Sequence, residues 1–359
     1  MRILHIDTGK EWRGGQRQTL LLHEGLIKKG IESYLAANTE GILIKRCSKN
    51  CIEYEFKGEI NPKSIVNLLK IVDKVKPDII HSHDAHSLTP AIFAKMLKKN
   101  FRLIHTRRVD FTIKKNLLSV FKYKNRYVDK IVAISYAIKD ILVKDGISDD
   151  KINVIYSGVD FKNPDDYECP DDVRELLSED HIVLGCVANF AGHKDHKTLL
   201  KAFDIVFQHH KNVKLLLVGD GPLFDETINF AKTLKSYPNM IFSGFQDDIY
   251  SYLKCMDVFL MTSKEEGLCT SIIDALNFEI PVVATKAGGI TEIIKNEYNG
   301  LLCEIQNPKD IASKILSLIE NKHLYRTIKS NTKKSALKFS SKNMVSKYIT
   351  LYNKLMFET

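Results

Sequence analysis

Two carboxylates flank a glycine-bearing turn in residues 263–276, and their spacing is suited to binding a phosphorylated sugar. Glu266 directly precedes Gly267, the turn leads into an apolar helix, and Asp274 follows eight residues after Glu266. The first N–H groups of a helix lack intrahelical partners and suit a phosphate. Carboxylate oxygens accept hydrogen bonds from sugar or ribose hydroxyls. A plainer interpretation, an acidic first turn and a helix-surface aspartate, stays open on this segment alone.

A lysine-bearing loop forms a second candidate segment. Asn189 and Lys194 follow an apolar run at 182–188 and precede a predicted helix over 198–208. A lone loop lysine is usually a surface residue, so the pairing with residues 263–276 in the same half of the chain is what favours a role in binding.

The first half of the chain contributes a glycine pair directly after its first predicted strand. Gly14 and Gly15 let the backbone approach a ligand closely, just before a helix that we expect to begin near Gln16. The spacing differs from the Gly-x-Gly-x-x-Gly pattern of dinucleotide-binding loops. Pairs of glycines are also common in ordinary turns.

Histidines at 81, 83 and 86 with Asp84 raise the question of a metal site. His81 and His83 alternate along a predicted strand and share a face, but no distant ligand set accompanies them. An Asp-x-Asp motif that could hold Mg²⁺ is absent from the sequence. We therefore expect neither a metal nor a cofactor.

Short apolar runs alternate with amphipathic stretches along the chain, which is typical of β-α-β units on a parallel sheet. Residues 2–6 predict a first strand, and residues 16–29 and 64–75 predict helices. Residues 161–180 are polar and acid-rich and predict a linker. We expect an α/β fold of two Rossmann-like domains, with ligands at the carboxyl ends of the strands and in the cleft between the domains.

Residues 263–276 resemble the Glu-x7-Glu signature of glycosyltransferase family 4, whose members have the GT-B fold, two Rossmann-like domains with parallel sheets facing across a cleft. The resemblance implies that Glu266 contacts the donor sugar and that Asp274 binds the ribose. It also implies that the diphosphate meets the backbone amides of Leu268, Cys269 and Thr270. Two residues depart from the family: Asp274 is one methylene shorter than the usual glutamate, and Cys269 replaces a glycine. A Cβ at 269 would crowd the phosphate if that residue needed a positive φ.

The lysine-bearing loop resembles the family's Arg-x4-Lys block, in which both side chains reach the donor diphosphate. Lys194 matches the lysine, whereas Asn189 stands where arginine is commonest. Lys194 should therefore carry most of the electrostatic stabilisation of the leaving diphosphate. Residues 218–222, 287–294 and 299–302 also match, and Phe245 lies in the loop that borders the base in relatives, where a core or turn phenylalanine is an equal alternative.

For the first half, the resemblance implies acceptor binding. The loop with Gly14 and Gly15 would face the donor phosphate and the acceptor. His105 aligns with a histidine near the reacting sugar in related membrane-associated mannosyltransferases, and a purely structural strand-end histidine is its alternative. Arg107 and Arg108 would bind an anionic acceptor such as a phosphorylated glycolipid. The implied domains are 1–162 for the acceptor and 163–342 for the nucleotide-sugar, with a C-terminal helix at about 343–359 packing back onto the first.

The charge of the 359-residue chain is locally concentrated. The net charge is +9, and residues 95–130 hold twelve lysines and arginines against two aspartates. Such a window suits an anionic membrane surface, an acidic substrate or nucleic acid, and solvated helix faces are the plainer alternative. No apolar run spans a bilayer, and the seven cysteines are odd in number, scattered and without a Cys-x-x-Cys pair. We expect no disulfide framework or zinc site and a cytoplasmic location, with peripheral contact to an anionic membrane face.

The resemblance implies a retaining, metal-independent, hexosyltransferase-like enzyme. It would move a sugar, most commonly from a UDP-linked donor, to a glycan or lipid-linked acceptor in bacterial-type envelope polysaccharide or lipopolysaccharide synthesis. A nucleotide-sugar epimerase or hydrolase of the same fold is the first alternative. A non-catalytic membrane- or nucleic-acid-binding protein that uses the basic window is the second, although no nucleic-acid motif accompanies that window and we expect no nucleic-acid partner.

Overall fold

The computed structural model describes residues 1–113 and 117–357, which form two compact units. The first unit consists of Met1–Asp160 with Phe339–Thr359, and the second of Phe161–Lys338. Lys114 and Lys115 of the basic window, and the last two residues of the expected C-terminal helix, lie outside the described residues. The expected boundaries, 162/163 and 342/343, fall close to those of the second unit.

The first unit contains a seven-stranded parallel sheet. Its strands are Arg2–Asp7 (β1), Glu32–Asn38 (β2), Cys51–Tyr54 (β3), Ile79–Ser82 (β4), Arg102–Arg107 (β5), Lys130–Ala133 (β6) and Ile152–Val154 (β7). They lie in the order β3-β2-β1-β4-β5-β6-β7. The register sets His5 of β1 opposite His81 of β4, and Ser82 of β4 opposite His105 of β5. Polar side chains of the three central strands are therefore neighbours.

Helices connect these strands, as parallel pairing requires. They are Gly14–Lys28 (α1), Ile42–Arg46 (α2), Pro62–Val75 (α3), Ala85–Leu97 (α4), Leu117–Tyr123 (α5) and Tyr136–Lys144 (α6). Several starts have clear local causes. Asn61 caps α3 with Pro62 in its first turn, Asp84 forms a capping box at α4, and Ser135 caps α6.

The second unit contains a six-stranded parallel sheet in the order β10-β9-β8-β11-β12-β13. Its strands are Ile182–Val187 (β8), Val213–Val218 (β9), Met240–Phe242 (β10), Val258–Met261 (β11), Val282–Thr285 (β12) and Gly300–Cys303 (β13). Its helices are Asp171–Arg174 (α7), His196–His209 (α8), Phe224–Ala231 (α9), Ile249–Lys254 (α10), Thr270–Asn277 (α11), Ile290–Ile293 (α12), Pro308–Glu320 (α13) and Lys322–Ala336 (α14). The central strands β8 and β11 are adjacent although β9 and β10 separate them in sequence.

The last helix, Ser341–Phe357 (α15), belongs to the first unit. It buries Met344, Val345, Tyr348, Leu351, Tyr352 and Leu355 in the core formed with β1, β4 and α1. Each large apolar side chain buried in this way contributes about 1.5–3 kcal/mol. Gly25 of α1 lies so close that a Cβ there would be 2.4 Å from Cγ2 of Val345. Among the described residues, no helix is long and apolar enough to cross a membrane.

Two disulfides correct the expectation that the cysteines stay unpaired. Cys47 pairs with Cys51, and Cys169 pairs with Cys255, with Cα–Cα distances of 6.0 and 5.0 Å. The first pair closes a tight turn whose Asn50 has a φ of 52°. The second pair joins the segment expected to be a linker to the end of α10, across 86 residues. Tertiary packing creates that proximity, so linear spacing did not show it.

Candidate active site

An ion pair between Lys194 and Glu266 lies in the second unit, at the carboxyl ends of β8 and β11. The lysine follows β8 and the glutamate follows β11, so the adjacency of the two strands brings together residues 72 apart in sequence. Nζ of Lys194 donates to Oε2 of Glu266 over 2.5 Å, and the side chains are 14% and 13% exposed. The two residues that the sequence analysis assigned to the diphosphate and the sugar are thus in direct contact.

The backbone around the Lys194–Glu266 pair is tied together by further hydrogen bonds. Thr262 Oγ1 donates to the carbonyl of Lys194 over 3.2 Å, and the N–H of Lys264 donates to the carbonyl of His193 over 2.7 Å. Asp195 adopts a left-handed conformation with a φ of 52°, and Thr198 donates to its carboxylate. The loop after β8 is therefore fixed to the loop after β11.

The electrostatics of Lys194 favour a permanent cation. Burial alone would lower the pKa of its ammonium group, but the neighbouring Glu266 carboxylate outweighs burial and raises the pKa above the usual lysine value. The cation is therefore fully formed at neutral pH, as binding of a diphosphate requires.

Residues 268–270 form the turn into α11. Cys269 is the N-cap residue, with an ordinary φ of −80°, so the backbone does not require a glycine there. Its thiol is 2% exposed, and burial raises the thiol pKa to about 11. Leu268 is also buried, whereas Thr270 is partly exposed. The turn reaches the helix start without backbone strain.

The other expected donor-site residues differ in exposure. Asp274 is 1% exposed, which excludes the interpretation as a helix-surface aspartate. Asn189 is exposed after β8, and Phe245 is 55% exposed after β10. Both therefore lie at the same sheet edge as the ion pair, while Asp274 lies within α11.

A histidine cluster, consisting of His5, His81 and His83, occupies the centre of the first unit. One ring nitrogen of each lies within 4.8 Å of the others, and all three rings are buried. His81 binds Thr106 Oγ1 over 2.7 Å and Tyr352 of α15 over 2.6 Å. Burial lowers the pKa of each ring well below its usual value, so the rings are neutral.

Arg108 determines the tautomers in this cluster. Its Nη2 lies 3.1 Å from Nδ1 of His83, and a guanidinium only donates, so the neutral ring of His83 carries its proton on Nε2. That proton is donated to Nδ1 of His5 over 2.8 Å, which leaves the His5 proton on Nε2. Five of the six ring nitrogens are thus engaged, and within the described ranges Nε2 of His5 has no hydrogen-bond partner. The expectation of no metal stays a prediction.

Arg107 and Arg108 have different environments. Arg107 donates to Tyr123 Oη over 2.8 Å and to the carbonyls of Phe111 and Val109, so its guanidinium holds the segment after β5. Arg108 lies against the start of α1, with Cδ 3.5 Å from the position of a Cβ on Gly15. Its buried Nε has no partner in the part of the chain that the structure describes.

His105 is 1% exposed and lies in β5. Its Nδ1 is 3.1 Å from Ser82 Oγ, and its ring meets Tyr123 edge-on. Burial, reinforced by the charge of Arg107, lowers its pKa to about 3, so the imidazole is neutral. Its assigned role near the reacting sugar stays a prediction.

Asp7 and Asp84 accept hydrogen bonds from the loop between β1 and α1 and from the start of α1. The sequence analysis named Asp84 only as a possible metal ligand and did not name Asp7. Asp7 accepts from Gly9 N, Gln16 Nε2 and Thr19 Oγ1, each over 3.0 Å. Asp84 accepts from the N–H and the hydroxyl of Thr8. Burial, followed by repulsion from Asp84, raises the pKa of Asp7 to about 6. The sequence did carry a signal for Asp7, because it is an ionisable residue at the end of a predicted apolar strand.

Ion pairs neutralise part of the basic window. Lys122 pairs with Glu59, Lys98 pairs with Asp73, and both Lys95 and Arg102 pair with Asp129. Glu59 and Asp73 lie outside the window in sequence, so the local excess of charge is smaller than the sequence count indicates.

Two family models match the chain. The model described as Glycosyltransferase Family 4 matches residues 12–163, and the model described as Glycosyl transferases group 1 matches residues 170–335. The two matches cover the two halves in the order that the motifs predict.

Curated relatives align over most of the chain. An uncharacterized glycosyltransferase of Methanocaldococcus jannaschii, MJ1178, is 30% identical, covering 79% of this chain and 78% of its own. N-acetyl-alpha-D-glucosaminyl L-malate synthase of Bacillus anthracis is 25% identical over 79% and 77%. The UDP-Gal:alpha-D-GlcNAc-diphosphoundecaprenol alpha-1,3-galactosyltransferase of Escherichia coli is 24% identical over 81% and 79%.

Solved structures share the fold. The Anabaena protein Alr3699/HepE, in complex with UDP and glucose, superimposes with a TM-score of 0.84 at 19% identity, covering 98% of this chain and 99% of that one. Its likeness supports the GT-B architecture that two parallel-sheet units indicate. The chain belongs to glycosyltransferase family 4 and is a GT-B glycosyltransferase related to enzymes of bacterial polysaccharide synthesis.

Proposed function

We propose that this protein is a retaining glycosyltransferase that moves a sugar from a UDP-linked donor to an anionic glycan or lipid-linked acceptor in envelope polysaccharide or lipopolysaccharide synthesis. The observation that carries the proposal is the Lys194–Glu266 ion pair at the carboxyl ends of adjacent strands. This edge of a parallel sheet is where ligands bind in such folds. The Escherichia coli relative is named for a UDP-galactose donor and the Anabaena structure is a complex with UDP and glucose, and both support UDP as the nucleotide.

The donor would bind the second unit. Lys194 would contact the diphosphate together with the amides of residues 268–270, and Asn189 would donate a neutral hydrogen bond. Glu266 would accept from a sugar hydroxyl, Asp274 from the ribose, and the exposed ring of Phe245 would contact the base. These residues come from the loops that follow β8, β10 and β11 and from helix α11.

The acceptor would bind the first unit. Arg108, whose Nε is unpartnered within the described residues, is the better candidate than Arg107, whose donors hold the segment after β5. It lies against Gly15, where the start of α1 adds further N–H donors beside Gly14. Two relatives are named for acidic acceptors, L-malate and a diphosphoundecaprenol-linked sugar, which supports an anionic acceptor.

Transfer would proceed on one face of the sugar. The glycosidic bond to the diphosphate breaks as the acceptor oxygen bonds to the same carbon, and the departing diphosphate takes the acceptor's proton. Lys194 and the backbone amides would stabilise the charge on the leaving group without a divalent cation. Glu266 would orient the sugar, and neutral His105 would bond a sugar hydroxyl or steady the acceptor.

Nucleotide binding followed by transfer tests this proposal. Thermal unfolding is measured with UDP, GDP and their sugars, and stabilisation by UDP and one UDP-sugar is expected. Incubation with that sugar and anionic acceptors, with EDTA present, should give an α-linked product at an unchanged rate. Donor turnover without an acceptor would instead support an epimerase or hydrolase. No stabilisation by any nucleotide, with salt-sensitive nucleic-acid binding, would reject enzymatic function.

The location proposed is the cytoplasm, with peripheral contact to an anionic membrane face, and the proposal rests on the basic window alone, because the two disulfides remove the argument from unpaired cysteines. Leu97 is 68% exposed and Phe111 is 52% exposed, and the exposed Lys99, Lys124 and Arg126 lie in the same sequence window. Cosedimentation with vesicles should rise with their anionic lipid content and fall with salt. Equal binding to neutral vesicles would contradict the electrostatic explanation.

A further inference from the structure

A buried serine, three residues before Glu266 in the chain, donates a hydrogen bond to the Glu266 carboxylate. The side chain of Ser263 is fully buried, and its Oγ donates to Oε2 of Glu266 over 3.2 Å. Lys194 donates to the same oxygen over 2.5 Å. Both contacts therefore use Oε2, and neither uses Oε1, which leaves that oxygen for a sugar hydroxyl.

The backbone that carries Ser263 and Glu266 is fixed by neighbouring segments. Thr285 of β12 donates through Oγ1 to the carbonyl of Ser263 over 2.6 Å. The N–H of Gly289 donates to the carbonyl of Glu266 over 2.8 Å. A Cβ on Gly289 would lie 2.2 Å from the carbonyl oxygen of Gly267, so this close approach needs a glycine. The backbone of Ser263 is therefore held in place, which limits the positions that its hydroxyl can take.

The two groups that donate hydrogen bonds to Glu266 would respond differently when the nucleotide-sugar binds. The ammonium of Lys194 would be shared with the diphosphate, which weakens its hold on the carboxylate. The Ser263 hydroxyl is neutral, so the diphosphate competes for it far less. A carboxylate held by Lys194 alone would regain rotational freedom at that moment.

We propose that Ser263 is a positioning residue that keeps the Glu266 carboxylate oriented toward the sugar hydroxyl once Lys194 binds the diphosphate. The inference rests on the proposed function, since it assumes that Glu266 orients the donor sugar. Ser263 itself would not touch the substrate.

Substitutions of Ser263, compared with a matched serine elsewhere, test this role. Ser236 is also fully buried, and its Oγ donates to the carboxylate of Asp204 over 2.7 Å, so Ser236→Ala removes the same kind of bond away from Glu266. In Ser263→Ala we expect kcat for transfer to fall about ten- to a hundredfold, the effect of losing a hydrogen bond to a charged group. The KM for the UDP-sugar should change by less than about threefold, because Lys194 still binds the diphosphate.

Two further variants separate positioning from folding. Ser263→Cys fills the position with a somewhat larger thiol, a weak donor, and should lose kcat as the alanine variant does. Ser263→Thr keeps the hydroxyl and should recover most of it. Thermal unfolding and stabilisation by UDP should show that each variant is folded. Ser236→Ala should leave kcat within about twofold of the parent.

The outcomes are distinguishable. Unchanged kcat in Ser263→Ala and Ser263→Cys, beside severe loss in Lys194→Ala and Glu266→Ala, would overturn the role of Ser263 alone. An equal fall in Ser236→Ala would overturn it as well, because the effect would then be general destabilisation. Normal turnover in Lys194→Ala and Glu266→Ala would remove the proposed active site together with this inference.

Discussion

Removing Lys194 would leave the Glu266 carboxylate without its cation, in a place where both side chains are mostly buried. Breaking such a pair is costly because the remaining charge is poorly solvated. We predict that Lys194→Ala lowers the rate of sugar transfer about a hundredfold or more, since the leaving diphosphate loses its principal cation. Initial rates at saturating donor, with a thermal unfolding scan to show folding, measure the effect.

Lys286 provides the control for that change. It pairs with Glu304 at the surface of the second unit, where the side chains are 49% and 59% exposed. Exposed pairs contribute little because water screens them, so Lys286→Ala should leave the transfer rate within about twofold of the parent. Near-normal transfer in Lys194→Ala would mean that the active site lies elsewhere.

The two neighbouring arginines should separate binding from stability. Arg108→Gln should raise the KM for an anionic acceptor about tenfold or more and leave the donor KM unchanged, because it removes a cation beside Gly15. Arg107→Gln should instead lower the unfolding midpoint, since Tyr123 Oη and the Phe111 carbonyl lose their donor. Acceptor titrations and thermal unfolding distinguish the two. A selective acceptor defect in Arg107→Gln with normal stability would reverse the assignment.

At the scale of elements, local sequence signals predicted the helices and strands well, but they did not predict which elements lie side by side. The first helix was expected from residue 16 and begins at Gly14, so Gly14 and Gly15 lie in its first turn. The contact of Lys194 with Glu266 depends on β8 lying beside β11, which chain order does not reveal. The bond from His81 to Tyr352 joins residues 271 apart, and periodicity carries no signal for it.

The disulfide at the end of α10 should stabilise the second unit. Cys169–Cys255 closes a segment of 86 residues, and the chain-entropy relation gives about 4.5 kcal/mol for a loop of that length. Cys47–Cys51, four residues apart, gives about 2 kcal/mol by the same relation. We predict that replacing both Cys169 and Cys255 by serine lowers the unfolding midpoint more than the same change at 47 and 51.

Urea unfolding of oxidised protein, with and without a reductant, measures this difference. The reductant should lower the midpoint of the parent most, that of the Cys47/Cys51 variant nearly as much, and that of the Cys169/Cys255 variant least, because the last keeps only the short-loop bond. No response of the parent or of either variant to the reductant would show that neither bond forms in solution.

At the scale of the whole molecule, each unit gathers its polar side chains at the carboxyl ends of its central strands. In the first unit Asp7 ends β1, His83 follows β4 and Arg108 follows β5. In the second unit Lys194 follows β8 and Glu266 follows β11. In the second unit the strand positions are mostly apolar, whereas in the first unit His5, His81 and His105 are buried within β1, β4 and β5. The buried polar groups of the first unit therefore couple folding to pH.

Stability should fall as the solution becomes acidic. Burial lowers the pKa of His5, His81, His83 and His105, the last to about 3, while the unfolded chain titrates near 6.5. The folded state then binds fewer protons below pH 6.5, so each ring costs up to about 1.4 kcal/mol per pH unit. Asp7, with its pKa raised from 3.8 to about 6, acts in the opposite direction as pH falls through 6, but it is one group against these four and His23, whose buried ring also has a lowered pKa.

We therefore predict that the urea midpoint is steady above pH 6.5 and drops steeply between pH 6.5 and 5. His105→Gln should reduce that slope by the share of one ring, because glutamine does not titrate. Unfolding curves at half-unit intervals of pH give the slope directly. A midpoint that stays level or rises toward pH 5 would mean that the buried rings take up protons in the folded state, and the tautomers derived from Arg108 would then be wrong.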